Sequence, residues 1–167
     1  VPGPQECADL AAVEQIYRKY YPNDLGVAAN STALPVQSVD MRFVDPDSLL
    51  QPEGESTNQM VWVRFAQVLE PDLELHKVIL GYMSDQSIAH IALQPHALGA
   101  YNPKLRFLSI DHSISFHRPM RADDWLLLVR CCESLTQGLA LVTGSFYSKD
   151  GSLVASMSQT AYIRVNE

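Results

Sequence analysis

Cysteine is scarce in this sequence. Cys7, Cys131 and Cys132 are the three present, too few for a disulfide framework. Cys131 and Cys132 are neighbours that would point to opposite faces of a strand, so a reducing compartment is expected. No Cys/His spacing suggests zinc. No apolar run approaches the roughly 20 residues of a membrane-crossing helix, and no signal peptide opens the chain. Glycine-rich phosphate loops of the nucleotide enzymes are absent, as are internal repeats and low-complexity tracts. The chain opens on Val1 and not on methionine, which predicts a processed chain or a fragment. Positive charge is also short. Twelve Lys and Arg face nineteen Asp and Glu for a net charge of −7, which argues against nucleic acid as a partner. A membrane partner is likewise not expected.

The charge deficit is uneven. Residues 1–76 carry 4 basic and 12 acidic side chains (−8), and residues 77–167 carry 8 and 7 (+1). An anionic ligand would therefore meet the second half, where Lys104, Arg106, Arg118 and Arg121 are concentrated. Arg118 and Arg121 are the candidate substrate-binding cations, with pairing to Asp123 and Asp124 as the competing reading.

What is present fits one domain with a sizeable core, since the chain has 167 residues. Residues 1–7, with Pro2, Gly3 and Pro4, read as linker. Residues 9–20 form an amphipathic helix capped by Asp9 and stopped by Pro22, and residues 22–35 read as loop. Val39, Met41 and Phe43 alternate with Asp40 and Arg42, the period of a half-buried strand. The polar stretch from Asp45 to Asn58 predicts an exposed loop, and Val61, Val63 and Phe65 a second strand.

The centre of the pattern is Asp72 to Leu93. Asp72 suits an N-cap, Glu74 suits the first turn, and Pro95 supplies a stop. Leu75, Ile79, Tyr82 and Met83 line one face, while Leu80, Ile88, Ile91 and Ala92 occupy the others. A helix apolar on most of its circumference is one that something surrounds. Its second half holds a single carboxylate, Asp85. Either Asp85 faces outward on a partly exposed turn, or it is a working carboxylate held at an interface, because burying a lone charge is costly.

Four β segments follow, at about 105–116, 125–135, 139–147 and 153–165. Short glycine-bearing connections at Thr136-Gln137-Gly138 and Lys149-Asp150-Gly151 suit antiparallel hairpins. The expected architecture is α+β, a curved antiparallel sheet wrapped around one long central helix.

Tyr82-Met83-Ser84-Asp85, Gln94-Pro95-His96, Ser109-Ile110-Asp111-His112-Ser113 and Phe116-His117-Arg118-Pro119 occur in this order. Arg121 to Leu127, Asp150 to Ser156, and Gln159 continue the series. In these motifs the chain resembles the C-terminal half of the acyl-CoA thioesterase II family, the double-hotdog thioesterases of bacteria and peroxisomes. The resemblance spans roughly residues 37–165 and is strongest over 82–164. It implies a division into an inter-domain linker with a short helix (1–35) and a C-terminal hotdog domain (36–167).

It further implies hydrolysis of acyl-CoA to fatty acid and coenzyme A without metal or organic cofactor, in the peroxisome or the cytoplasm. The partner would be an N-terminal hotdog domain, or a second copy in a homo-oligomer. By motif, the family's catalytic trio of Asp, Thr or Ser, and Gln falls on Asp85, Ser109 and Gln159. Backbone N–H groups near the helix would serve a developing oxyanion. In two places the sequence departs from the family. Thr160-Ala161 follows Gln159 where the family usually has an acidic residue, and Ser115 stands in place of a Trp. The alternative function is a non-catalytic hotdog that binds acyl-CoA or mediates dimerisation. Asp111 with His112 or His117 suggests a charge relay of the dehydratase kind, set against a structural role for each histidine. Trp125 and the leucines after it are expected in the core.

Overall fold

The computed structural model describes residues 1–20, 38–47, 57–86, 88, 91–93 and 105–165. A single turn of 3-10 helix, Pro4–Glu6, precedes helix α1, Leu10–Tyr20. Strands β1 (Val39–Phe43) and β2 (Asn58–Phe65) lead to helix α2 (Leu73–Ser84). Strands β3 (Leu105–Phe116), β4 (Leu126–Thr136), β5 (Leu139–Tyr147) and β6 (Leu153–Val165) complete the order. The division near residue 35, the proline stops at 22 and 95, and most of the predicted 45–58 loop lie outside the described residues.

The strands form one six-stranded sheet in the order β1-β2-β4-β5-β6-β3, with every pairing antiparallel. The hairpin between β4 and β5 turns on Gln137 (φ 53°) and Gly138 (φ 81°), the double positive φ of a primed two-residue turn. A Cβ on Gly138 would sit 2.9 Å from the carbonyl oxygen of Ile163, so glycine is required there twice over.

Alternation along the strands directs one side chain in two toward α2. Val61, Val63, Leu126, Leu128, Val142, Phe146, Ala155, Met157 and Ile163 from the sheet share one buried cluster with Leu80 and Met83 of α2. Ile88, Ile91, Ala92 and Leu93 join the same cluster. The α+β reading, with the sheet curved around a helix, matches this arrangement. Trp125 is buried at the head of β4, with the guanidinium of Arg64 4.8 Å and that of Arg42 5.6 Å from its ring centre.

A fully buried arginine interrupts the apolar pattern. Arg130 on β4 donates from Nε to Gln59 Oε1 at 2.9 Å, and from Nη2 to the same oxygen. Burial pushes its guanidinium down to about 10, still charged at neutral pH.

The N-terminal segment is bound to the sheet. Ala8 and Phe43 exchange both backbone hydrogen bonds, and Trp62 Nε1 donates to Pro2 O at 2.9 Å. Asp9 caps α1 through the Ala12 N–H at 2.9 Å, and Val13 on α1 enters the core.

The central helix is shorter than its apolar pattern suggests. Asp72 caps it by accepting the N–H groups of Glu74 and Leu75, but the α-helix ends at Ser84 with Asp85 as its C-cap. Ile88 and residues 91–93 continue in 3-10 geometry. Periodicity alone cannot mark this stop, because no glycine or proline stands between Tyr82 and Gln94. Ser84 and Asp85 are weak helix formers whose side chains compete for local and tertiary hydrogen bonds, and they find them here.

Candidate active site

Ending α2 at Ser84 swings Asp85 toward the sheet. There, Gln159 Nε2 donates to Asp85 Oδ1 at 3.0 Å and to Ser109 Oγ at 2.6 Å. Three side chains from the end of α2, from β3 and from β6 thus meet at one amide. A carboxylate only accepts hydrogen bonds, so Asp85 fixes which end of the amide faces it. Gln159 itself is 1 % exposed, whereas Asp85 and Ser109 are exposed. The two alternatives for Asp85 therefore merge: it sits on an exposed turn and also bonds inward.

Strand β3 needs an irregularity to deliver Ser109. The β3–β6 register shifts between Ser109, opposite Ala161, and Asp111, opposite Thr160. Ile110 is the extra residue of this β-bulge, which re-aims the side chains that follow it. Because of it, Ser109 and His112, three apart and of opposite parity, both face Gln159. His112 Nδ1 lies 3.2 Å from Gln159 Oε1, and His112 Nε2 lies 2.7 Å from Ser84 Oγ. Ser84 Oγ is also 2.7 Å from Gly81 O. Sequence reasoning weighed His112 only as half of a relay with Asp111. Asp111 makes no hydrogen bond to His112 here; its Oδ1 accepts the Thr160 N–H at 3.1 Å.

The trio opens onto a cleft of about 460 Å³. One wall is the end of α2, with Gly81, Tyr82, Asp85 and Gln86, and the other is Ser109 to His112. The helix shows this cleft its carbonyl end. Its N-terminal N–H groups lie roughly 18 Å off at 1.5 Å per residue, so the N–H groups expected near the helix are not those of its first turn. Those donors must come from elsewhere. Among the described residues no group of three or more His, Cys, Asp or Glu could hold a metal ion. No described helix is long and apolar enough to cross a membrane.

The two candidate substrate-binding arginines stand apart from the trio. Arg118 lies beyond the far end of β3, whose last residue, Phe116, is roughly 23 Å along the strand from Ser109 at about 3.3 Å per residue; it is exposed and donates to Leu153 O at 2.6 Å. Arg121 pairs with Asp123 through Nε at 3.0 Å and Nη2 at 2.7 Å, and also donates to Leu69 O. Burial works to raise the Asp123 carboxyl, but hydrogen bonds from Arg121 and from the Leu69 N–H prevail and hold it below its ordinary value. Arg121 lines a second cleft of about 670 Å³ with Trp125 and Lys149. His117 lies outside the trio, with Nε2 2.8 Å from Ser156 Oγ.

Comparison with known proteins supplies relatives for this fold and this site. The chain is 34% identical over 175 residues to acyl-coenzyme A thioesterase 8 of Homo sapiens, covering 99% of this chain and 52% of that protein. Acyl-CoA thioesterase 2 of Haemophilus influenzae is 32% identical over 109 residues, which cover 65% of this chain and 38% of that protein. The chain thus spans about half the length of the first of these, and less of the second. Among solved structures, an acyl-CoA thioesterase II, TesB2, from Mycobacterium marinum superposes with a TM-score of 0.71 at 28% identity, covering all of this chain and 55% of that one. A hot dog fold protein of unknown function from Alicyclobacillus acidocaldarius gives 0.65 at 17% identity over all of this chain and 54% of that one, a likeness of fold alone. The architecture is accordingly the hotdog fold. Residues 7–163 match the family described as the acyl-CoA thioesterase C-terminal domain, and this chain belongs to that family.

Proposed function

We propose that this domain hydrolyses acyl-CoA thioesters to fatty acid and coenzyme A, with Asp85 as general base and Ser109 and Gln159 as the groups that position water. The observation that supports it best is the convergence of Asp85 and Ser109 on the single Gln159 amide. A thioester is already activated, so catalysis needs an oriented water and an acceptor for its proton. A positioned general base supplies typically 10²–10⁴-fold. Gln159 spends its two N–H bonds on Asp85 and Ser109, so the Ser109 hydroxyl proton is left to point into the cleft. Water held there lies within reach of Asp85. No covalent acyl-enzyme is required. Arg118 and Arg121 are assigned to the coenzyme A phosphates; Arg121 would do so from the second cleft while still paired with Asp123. The compartment proposed is the peroxisome or the cytoplasm, following the family resemblance.

A second hotdog is part of this reading. Among the described residues β3 is an edge strand that pairs with β6 alone, and it exposes Leu108 (65 %) and Ile110 (56 %) beside the trio. Long apolar edges are rarely left open in solution. The chain is therefore expected to pair along this edge, with another hotdog domain or with a second copy of itself. Sedimentation equilibrium is expected to give a dimer of this chain at micromolar concentration; a monomer would sink the pairing. The self-paired dimer is expected to hydrolyse slowly, since misplacing groups by about 1 Å costs on the order of 10²-fold. A rate equal to that of a double-hotdog thioesterase would overturn the idea that a different second hotdog shapes the pocket.

The direct test is thiol release from acyl-CoAs of graded chain length. Turnover that Ser109→Ala weakens without abolishing, with no acyl adduct on Ser109 by mass spectrometry, is the expected result. A trapped acyl-Ser109 would replace water activation by nucleophilic catalysis. Tight binding of acyl-CoA with no turnover would favour a non-catalytic binding module.

A further inference from the structure

We infer that His112 is a positioning residue which, with Ser84 behind it, locks the direction of the Gln159 amide and thereby aims the Ser109 hydroxyl into the cleft. The inference rests on the thioesterase reading for its consequence, and on hydrogen-bond geometry for its substance. Gln159 is 1 % exposed, so each polar atom of its amide must find a partner inside the protein. Its Nε2 serves Asp85 and Ser109, and its Oε1 faces His112 Nδ1 at 3.2 Å. An amide oxygen only accepts, so Nδ1 must carry a proton. His112 Nε2 then meets Ser84 Oγ at 2.7 Å, and that hydroxyl is also 2.7 Å from Gly81 O. The neutral Nδ1–H ring accepts at Nε2 from Ser84, and the cationic ring donates there while Ser84 turns to Gly81 O. Both forms donate to Gln159. The remaining form, neutral with Nε2–H, would leave two lone pairs, on Nδ1 and on Oε1, opposed.

The consequence reaches the reacting groups through three bonds. With Oε1 held by Nδ1–H, the amide presents two N–H groups to the cleft, one for Asp85 and one for Ser109. Ser109 Oγ then accepts, and its own proton points outward toward water. A reversed amide would set Oε1 against the Asp85 carboxylate and draw the Ser109 proton inward, leaving water one donor short. Asp85 resists that reversal from the front and His112 from behind. His112 touches no substrate in this scheme. The bulge at Ile110 is what allows it to stand there, since regular pairing would turn it away from a face that Ser109 shares.

The deciding experiment is long-range ¹H–¹⁵N correlation of the histidine rings in the folded chain at pH 7. His112 Nδ1 is expected to be protonated in the parent, and to lose that proton to Nε2 in Gln159→Leu. A bare Nδ1 in the parent overturns the inference. So does an Nδ1 proton that Gln159→Leu leaves in place. Should Gln159→Leu fail to fold, the parent spectrum and a second pair of variants decide. His112→Leu is expected to lower kcat roughly 10- to 100-fold with KM within about twofold, the pattern of misplaced reacting groups. His112→Asn keeps an N–H donor near the Nδ1 position and is expected to stay within about threefold of the parent. Equal losses in His112→Asn and His112→Leu, both folded, would make His112 a packing residue and refute the role. The two readings fail separately. No thiol release from any acyl-CoA together with a Gln159-dependent Nδ1 proton would end the thioesterase assignment and leave the locked amide standing.

Discussion

Replacing Asp85 by asparagine is expected to lower kcat by roughly two to four orders of magnitude, the range for removing a positioned general base. The variant is nearly isosteric, and the Asn carbonyl can still accept the Gln159 Nε2 bond that Asp85 accepts at 3.0 Å. Geometry is thus preserved while the proton acceptor is lost, so KM is expected to change little. The measurement belongs in a protein that joins this domain to an N-terminal hotdog, where basal turnover is high enough to register such a fall. A loss smaller than about threefold, with circular dichroism unchanged, would remove Asp85 from the mechanism and leave Ser109 and Gln159 as a structural pair.

Phe146→Ala is expected to destabilise the fold by about 3–5 kcal/mol, the range for truncating a fully buried aromatic. Phe146 is 0 % exposed and lies in the middle of the sheet, opposite Leu128 on β4 and Ala155 on β6. Those neighbours are held in register by ladders on both sides, so they cannot close over the void, and the cavity cost adds to the lost transfer energy. Two residues earlier the same strand is packed to its limit. A Cβ on Gly144 would stand 2.9 Å from Met157 Sδ and 3.0 Å from Leu128 Cδ1. Urea denaturation followed by tryptophan fluorescence checks the prediction. A loss under about 1 kcal/mol would mean that this part of the core repacks freely, contrary to the geometry.

The two substitutions fall on different sides of what can be read from one sequence. Phe146 was legible. Period-two alternation in Leu139–Tyr147 and Leu153–Val165, with Gln137-Gly138 and Asp150-Gly151 between strands, is local information. Side-chain direction alternates along any strand, and a primed turn has its own residue requirements. The two hairpins and the apolar face of α2 follow from that, but the strand order does not: a meander of the last four strands would set β3 beside β4, whereas β3 pairs with β6 and β4 with β2. Asp72 was legible as an N-cap for the same reason, since capping is settled within four residues. Recognition of Asp85, Ser109 and Gln159 came from motif resemblance, as the residues lie 24 and 50 positions apart and no local rule joins them.

Tertiary structure decided the rest. The apolar pattern of 72–93 asked for one long helix, yet α2 stops at Ser84, where the Ser84 and Asp85 side chains meet His112 and Gln159 from the sheet. His112 was invisible as a partner of Gln159, since unbroken alternation would set it on the face opposite Ser109, and only the pairing of β3 with β6 reveals the extra residue at Ile110. Arg121 read either as a phosphate contact or as half of an ion pair, and the position of Asp123 brings it into the pair. Composition and periodicity thus determined which faces are buried and which strands join in hairpins, for those depend on local geometry and on the hydrophobic effect. Where a helix stops, where a strand bulges and which polar groups meet depend on hydrogen bonds between residues far apart in sequence, and those exist only once the chain has closed on itself.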